Sequence, residues 1–200
     1  LHDRLVNVLS ASAEIQYALD EEDTEEIKAI AQELSHPEII AERVESLKKA
    51  LPEKPLENVE NMLLYLERLD FIGDILPQQI KDASRFVKKL SAPLKAQTSG
   101  EYEKLAVYFV YRYFLKAVRD FDLLSKIKAM IVFVFAAEII NLSREQDAHA
   151  RFETVKELCK EIEYSGDNMD RIYDDSYLSD IFSDTSMLAL LEWTLSVSYT

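Results

Sequence analysis

The sequence predicts an all-α bundle of about nine to eleven helices with no sheet. Three observations carry that expectation. Only three glycines and five prolines punctuate the 200 residues. Between them the apolar residues recur at helical rather than alternating spacing, and side chains suited to capping stand ahead of several of the apolar runs. With 48% of its residues apolar, the chain has material for one sizeable core or two small bundles.

Leu5, Val8, Leu9, Ile15 and Leu19, with the small Ser12 between them, form one stripe along a first helix from about Asp3 to Leu19. The acidic run Glu21, Glu22, Asp23 ends it. Asp23 with Glu26 resembles the capping box and Ser35 with Glu38 matches it, so two helices begin there, the second with Pro37 in its first turn. Pro52 and Pro55 break the next connection. Val59, Met62, Leu63, Leu66 and Ile72 then describe a fourth helix that ends near Gly73. A fifth carries Ile80, Ala83, Phe86, Val87 and Leu90 on one side and Lys81, Lys88 and Lys89 on the rest. The polar, breaker-rich link from Pro93 to Gly100 is the best boundary in the chain. It divides an amphipathic helical subdomain, 1–97, from one with buried central helices, 98–200, unless the two are one continuous domain.

Beyond the link, Leu105 to Leu115 is apolar or aromatic at every position except Arg112, the pattern of a helix buried all round. Asp122 caps the next helix, which runs through Met130, Val134 and Ala137 to about Leu142. A helix from about Asp147 to Tyr164 buries Phe152, Val155, Cys159 and Ile162; Gly166 stops it and Asp167 caps its successor. The tail places Ile172, Tyr173, Tyr177, Leu178, Ile181, Phe182, Leu188, Leu191 and Trp193 in short helical turns.

Composition narrows the function. A formal charge of −14 repels the phosphates of nucleic acid and the anionic face of a membrane, so neither is expected as a partner. The most apolar stretch, Ala129 to Ala137, is interrupted by Glu138, well short of the ~20 residues a bilayer needs. One cysteine, Cys159, rules out an internal disulfide and points to a reducing compartment, by default the cytoplasm. The chain opens on Leu1 with no signal-peptide pattern, so a piece of a longer protein is expected.

A complete catalytic or metal centre is not legible. Zinc and iron–sulfur sites need several close Cys or His ligands, and His2, His36 and His149 lie far apart. The one Glu-x-x-His spacing, Glu33 to His36, straddles the break at Ser35 and Pro37, whereas di-iron bundles need two. Isolated glycines make no phosphate loop. Asp167, Asp170, Asp174, Asp175 and Asp180 lack the glycine and final Glu of a calcium loop and read as a solvated face. Cys159, among core positions, reads as an inert thiol.

Arg112 is the most informative single residue, because a guanidinium on a buried helix must find a carboxylate or suffer a desolvation cost. Tyr108 and Lys116 lie one turn before and after it on the same face. Two readings of that stripe stay open, a structural ion-pair network and a ligand-binding cleft. Glu161 and Glu163, two residues apart, face different ways and form no carboxylate pair by themselves.

The run Tyr108-Phe109-Val110-Tyr111-Arg112-Tyr113-Phe114-Leu115-Lys116-Ala117, followed by Asp122-Leu123-Leu124-Ser125-Lys126-Ile127-Lys128, resembles the C-terminal part of flagellin lysine N-methylases. A third block, Glu161-Ile162-Glu163-Tyr164-Ser165-Gly166-Asp167-Asn168-Met169, is similar to that family's Glu-Ile-Glu-His-Ser-x-x-Asn segment. It departs from it at Tyr164, where the family tends to have His. The first helix, with Asp3-Arg4-Leu5 and Ala13-Glu14-Ile15-Gln16, is similar but less distinctive. The resemblance implies the helical part of a bacterial enzyme that moves methyl groups from S-adenosylmethionine to flagellin lysines. It also implies an upstream cysteine-bearing region holding an iron–sulfur cluster, which this chain does not contain. On that basis Tyr108, Arg112, Lys116, Asp122, Glu161, Glu163 and Asn168 form a candidate pocket or a contact face for the missing part. The competing reading is a non-catalytic helical interaction or scaffold domain.

Overall fold

A computed structural model describes residues 2–49, 55–90, 100–144 and 147–195. Among these residues there is no strand, and the chain folds into α1 (His2–Asp20), α2 (Thr24–Glu33), α3 (Pro37–Lys48), α4 (Pro55–Leu66), α5 (Ile75–Val87), α6 (Gly100–Tyr113), the short α7 (Ala117–Asp120), α8 (Leu124–Arg144), α9 (Ala148–Leu158), α10 (Gly166–Leu178) and α11 (Asp184–Leu195). The all-α expectation therefore holds.

The bundle is organised around α8. Every residue from Ser125 to Asn141 is buried, and a helix apolar on all sides must be surrounded. The helices α1, α5, α6, α9, α10 and α11 all pack against it. Phe133 and Phe135 sit at its centre, where truncation of a phenylalanine costs about 3–5 kcal/mol. The outer layer is completed by α4 on α5 and α11, and by α2 and α3 on α1. Apolar residues from both stretches, 1–97 and 98–200, enter one buried cluster, among them Leu5, Met62, Ile80, Phe109, Phe133 and Leu191. The polar link at 93–99 and Pro52 lie outside the described residues.

Several local expectations are corrected. Helix α6 is not buried all round. It buries Tyr102, Leu105, Ala106, Phe109 and Tyr113 and exposes Val107, Tyr108, Val110 and Tyr111. Tyrosine and valine tolerate an outer face, and α6 rests mainly on α8 and the single 3-10 turn that follows it.

Ile72 does not continue the α4 stripe. The helix ends at Leu66 in tight turns, Arg68 N–H donating to the Tyr65 carbonyl and Leu69 N–H to that of Leu66, and Ile72 is 95% exposed.

Capping follows the sequence at Asp23, which accepts from the amides of Glu25 and Glu26, and at Asp147, which accepts from Ala150. It departs at two positions. Ser35 donates to the Gln32 carbonyl at 2.6 Å and closes α2, leaving His36 as the cap residue of α3. Ser165, not Asp167, caps α10.

The helix expected from Asp147 to Tyr164 is interrupted. After α9 the chain makes one wide turn, Cys159–Glu163, closed by a bond from Tyr164 N–H to the Cys159 carbonyl at 2.9 Å. This five-residue spacing is that of a π turn. The inserted residue changes the register of everything after it. Phe152, expected in the core, is 65% exposed on α9. No helix among the described residues is long and apolar enough to cross a membrane.

Candidate functional site

The π turn carries both candidate carboxylates. Ile162 points into the core between them, and Glu161 and Glu163 are each almost completely buried. Their separation by two residues sends them to opposite sides, as the sequence expectation required.

Glu163 faces α6. Its Oε1 accepts from the Tyr108 hydroxyl at 2.5 Å and from the Tyr113 hydroxyl at 2.8 Å, and lies 2.8 Å from Arg112 Nε. Arg112 is the more exposed partner, its side chain 45% accessible against none for Glu163. The sequence expectation of a buried guanidinium is therefore inverted. The buried charge is the carboxylate, and the arginine reaches in from the surface. Burying a carboxylate costs several kcal/mol unless donors meet it, and these three provide charge-assisted bonds. The guanidinium also lies over three tyrosine rings, 5.9 Å from the centroid of Tyr108 and 5.6 Å from those of Tyr113 and Tyr164, within the range of cation–π attraction.

Burial pushes the Tyr113 hydroxyl up to about 12, with the Arg112 contact opposing the rise and the Glu163 contact adding to it. Burial and then Glu163 raise Tyr108 as well. The Cys159 thiol is pushed up to about 12 by burial and by its contact with Glu163, so it is not a thiolate nucleophile at neutral pH. Lys116 Nζ lies 4.7 Å from the centre of the Tyr113 ring.

Glu161 faces the other way, into the connection between α4 and α5. Its Oε2 accepts from the backbone amides of Ile72 at 2.7 Å and Gly73 at 3.2 Å, and its Oε1 lies 3.0 Å from Lys160 Nζ. The Ile72 amide first, then Lys160, hold this carboxyl below the usual range. Asn168, the third residue of α10, grips the same loop. Its Oδ1 accepts from Asp70 N–H at 3.0 Å, and its Nδ2 donates to the Asp70 carbonyl at 2.6 Å and to that of Glu161 at 3.0 Å. A Cβ at Gly73 would stand 2.9 Å from Glu161 Oε1, so glycine is needed for the close approach.

Asp122 belongs to a third cluster at the start of α8. It accepts from the Ser125 hydroxyl and amide and from the Tyr177 hydroxyl at 2.7 Å, with Lys126 Nζ 3.4 Å away. Burial works against its charge, yet the Ser125 and Tyr177 bonds hold it low.

Of the residues expected to share a face, Tyr108, Arg112 and Glu163 form one network, with Lys116 stacked on its Tyr113. Glu161 and Asn168 form a second, and Asp122 stands apart. Two functional-looking residues were missed. Tyr113 follows Arg112 directly and so falls off the stripe of one-turn spacings. Tyr164 reaches Arg112 only because the π turn re-aims it, and nothing in the local sequence announces that turn.

Next to the Glu163 network, α6 and α9 diverge to leave a groove of about 830 Å³, a size typical of ligand sites. Tyr102, Leu105 and Tyr108 form one wall and Phe152, Val155 and Cys159 the other, with Asn141 of α8 and Tyr164 completing the lining. Lys104, Arg151, Lys156 and Lys160 stand along it.

Comparison with protein families matches residues 1–190 to the one described as FliB lysine N-methylase C-terminal domain. No curated protein and no solved structure matches. Since the match spans nearly the whole chain, from α1 into α11, the protein belongs to the FliB lysine N-methylase C-terminal domain family.

Proposed function

We propose that this chain is the helical part of a protein-lysine N-methyltransferase that methylates flagellin with S-adenosylmethionine in the bacterial cytoplasm, and that it contributes a protein-binding groove rather than the methyl-transfer centre. The observation that carries the reading is the groove between α6 and α9 in a domain of the lysine N-methylase family. It is open and lined by aromatic rings, one of which, Tyr108, is held by Glu163.

The family resemblance implies an iron–sulfur cluster and S-adenosylmethionine. The residues of this chain do not fit the cluster. Its one cysteine is a thiol raised to about 12, whereas such clusters are held by several thiolates. Nor do three isolated glycines make the amide-lined loop that cradles a nucleotide. Both groups are assigned to an upstream region of the methylase.

The reading is tested by methyl transfer from labelled S-adenosylmethionine to flagellin by a methylase bearing this domain. Phe152→Asp puts a charge on an exposed groove wall and should lower kcat/KM at least tenfold while leaving the melting temperature nearly unchanged. Undiminished transfer by this variant would overturn the groove's role.

A second reading, a non-catalytic interaction domain, is favoured by the exposed apolar residues Val107, Val110 and Tyr111 of α6 and Phe114 of the 3-10 turn after it. Arg112→Met separates the two. Methyl transfer that survives with unchanged or raised stability supports the interaction domain.

A further inference from the structure

We propose that the α6–α9 groove, where Tyr108 and Cys159 line it, receives one lysine side chain of an extended peptide, its ammonium binding the second carboxylate oxygen of Glu163. The proposal rests on the reading of the groove as a protein-substrate site and adds which residue reads the lysine.

The first observation is an imbalance within Glu163. Its Oε1 takes Tyr108, Tyr113 and Arg112. Its Oε2 is buried and meets no hydrogen-bond donor among the described residues. A buried acceptor left unpaired costs about 1–3 kcal/mol, more when charged, and folded proteins leave few of them. A ligand donor supplies the missing partner.

The second observation is position. Tyr108 and Cys159 both touch Glu163 and both line the groove. The carboxylate therefore stands one side chain behind the groove wall, and the proposal requires Tyr108 or Cys159 to turn aside as the lysine enters. Such changes take nanoseconds or less for accessible side chains.

The third is the chemistry of the approach. Tyr102, Leu105, Phe152 and Val155 offer an apolar path to a methylene stem, and tyrosine faces attract cations. Tyr108 and Tyr164 already hold one cation, the Arg112 guanidinium. Of the cations along the groove, Arg151, Lys156 and Lys160 are each held in an ion pair, with Glu101, with Glu153, and with Glu157 and Glu161.

The same geometry selects lysine over arginine. A guanidinium binds a carboxylate best through two parallel bonds to both oxygens, and Oε1 is already occupied. An ammonium is a compact point charge, suited to a single free oxygen.

The test uses the ¹⁵N-labelled chain, titrated with the peptide acetyl-Ala-Lys-Ala-amide and with analogues carrying norleucine or arginine at the centre. Norleucine keeps the four-carbon stem and lacks the ammonium. The lysine peptide should bind at least about tenfold more tightly than either analogue. Glu163→Gln should reduce that preference to within about twofold. Tyr164→Ser, at a position 66% exposed and therefore safe for folding, should weaken the lysine peptide several-fold. Equal binding of lysine and norleucine peptides overturns the proposal and leaves the groove as a peptide site. A lysine preference that survives Glu163→Gln, or arginine binding as tight as lysine, overturns it equally. No binding of any peptide by the folded chain overturns both this proposal and the substrate-groove reading.

Discussion

Glu161 and Glu163 are buried to the same degree on one π turn, yet they are satisfied in different ways. Glu161 accepts from two loop amides through Oε2, and its Oε1, which accepts no hydrogen bond, lies 3.0 Å from the Lys160 ammonium. Glu163 gathers Tyr108, Tyr113 and Arg112 of α6 on Oε1, touches the Cys159 thiol, and has no cation beside its buried Oε2 among the described residues. The first arrangement fixes the chain. The second holds a charge beside a groove with bonding capacity left over. The difference teaches that burial of an acidic residue does not by itself mark a functional site; which of its lone pairs remain unmet, and what lies next to them, does.

The largest expected effects fall on the Glu161 side. Glu161→Ala removes the acceptor of two amides, and Asn168→Ala removes the three bonds that hold Asp70 and Glu161. Each should lower unfolding stability by about 3 kcal/mol in urea titrations. Next comes Gly73→Ala, which drives a methyl against Glu161 and should cost about 1–3 kcal/mol, with the loss reduced in a Glu161→Ala background if the close approach is its cause.

Arg112→Met should cost less, about 1–2 kcal/mol, because Tyr108 and Tyr113 still donate to Glu163. A loss as large as that of Glu161→Ala would erase the comparison. The acid limb of stability sharpens it further. Glu161 is held below its ordinary range, so its contribution is present above that range and fades as pH falls through the lowered value. Glu161→Gln should flatten the fall in melting temperature on acidification. The smallest effect belongs to Lys160→Ala, an exposed partner with a second carboxylate beside it, for which no measurable shift of the urea midpoint is expected.

A second pair of regions shows how far the sequence is legible. Helices α6 and α8 both read as central from their apolar runs, and it is the α6 run that reads as buried all round. Only α8 is. Its aliphatic and phenylalanine positions recur on every side with helices available to cover them, whereas α6 offers tyrosines that face water on one side. The contact of Tyr108, Arg112 and Glu163 was foreseeable from one-turn spacing on α6 and from the three ordered blocks. The inclusion of Tyr113 and Tyr164 was not, because Tyr113 falls off that one-turn stripe and the place of Tyr164 depends on the extra residue of the π turn. Likewise Ile72 looked like a core position by spacing alone, but two buried polar side chains from a distant segment capture its loop and leave it outside.

The sequence by itself determined the helical class, the helix starts at Asp23 and Asp147, and the family. Periodicity, capping chemistry and ordered motifs are local or linear properties, and all are written in the chain. The tertiary structure alone decided which carboxylate has a cation beside its second oxygen and which does not, and it decided that α6 and α9 part to form a groove beside the latter. Those outcomes depend on donors brought together from more than fifty positions away, such as the 55 residues between Tyr108 and Glu163, and no local pattern encodes them.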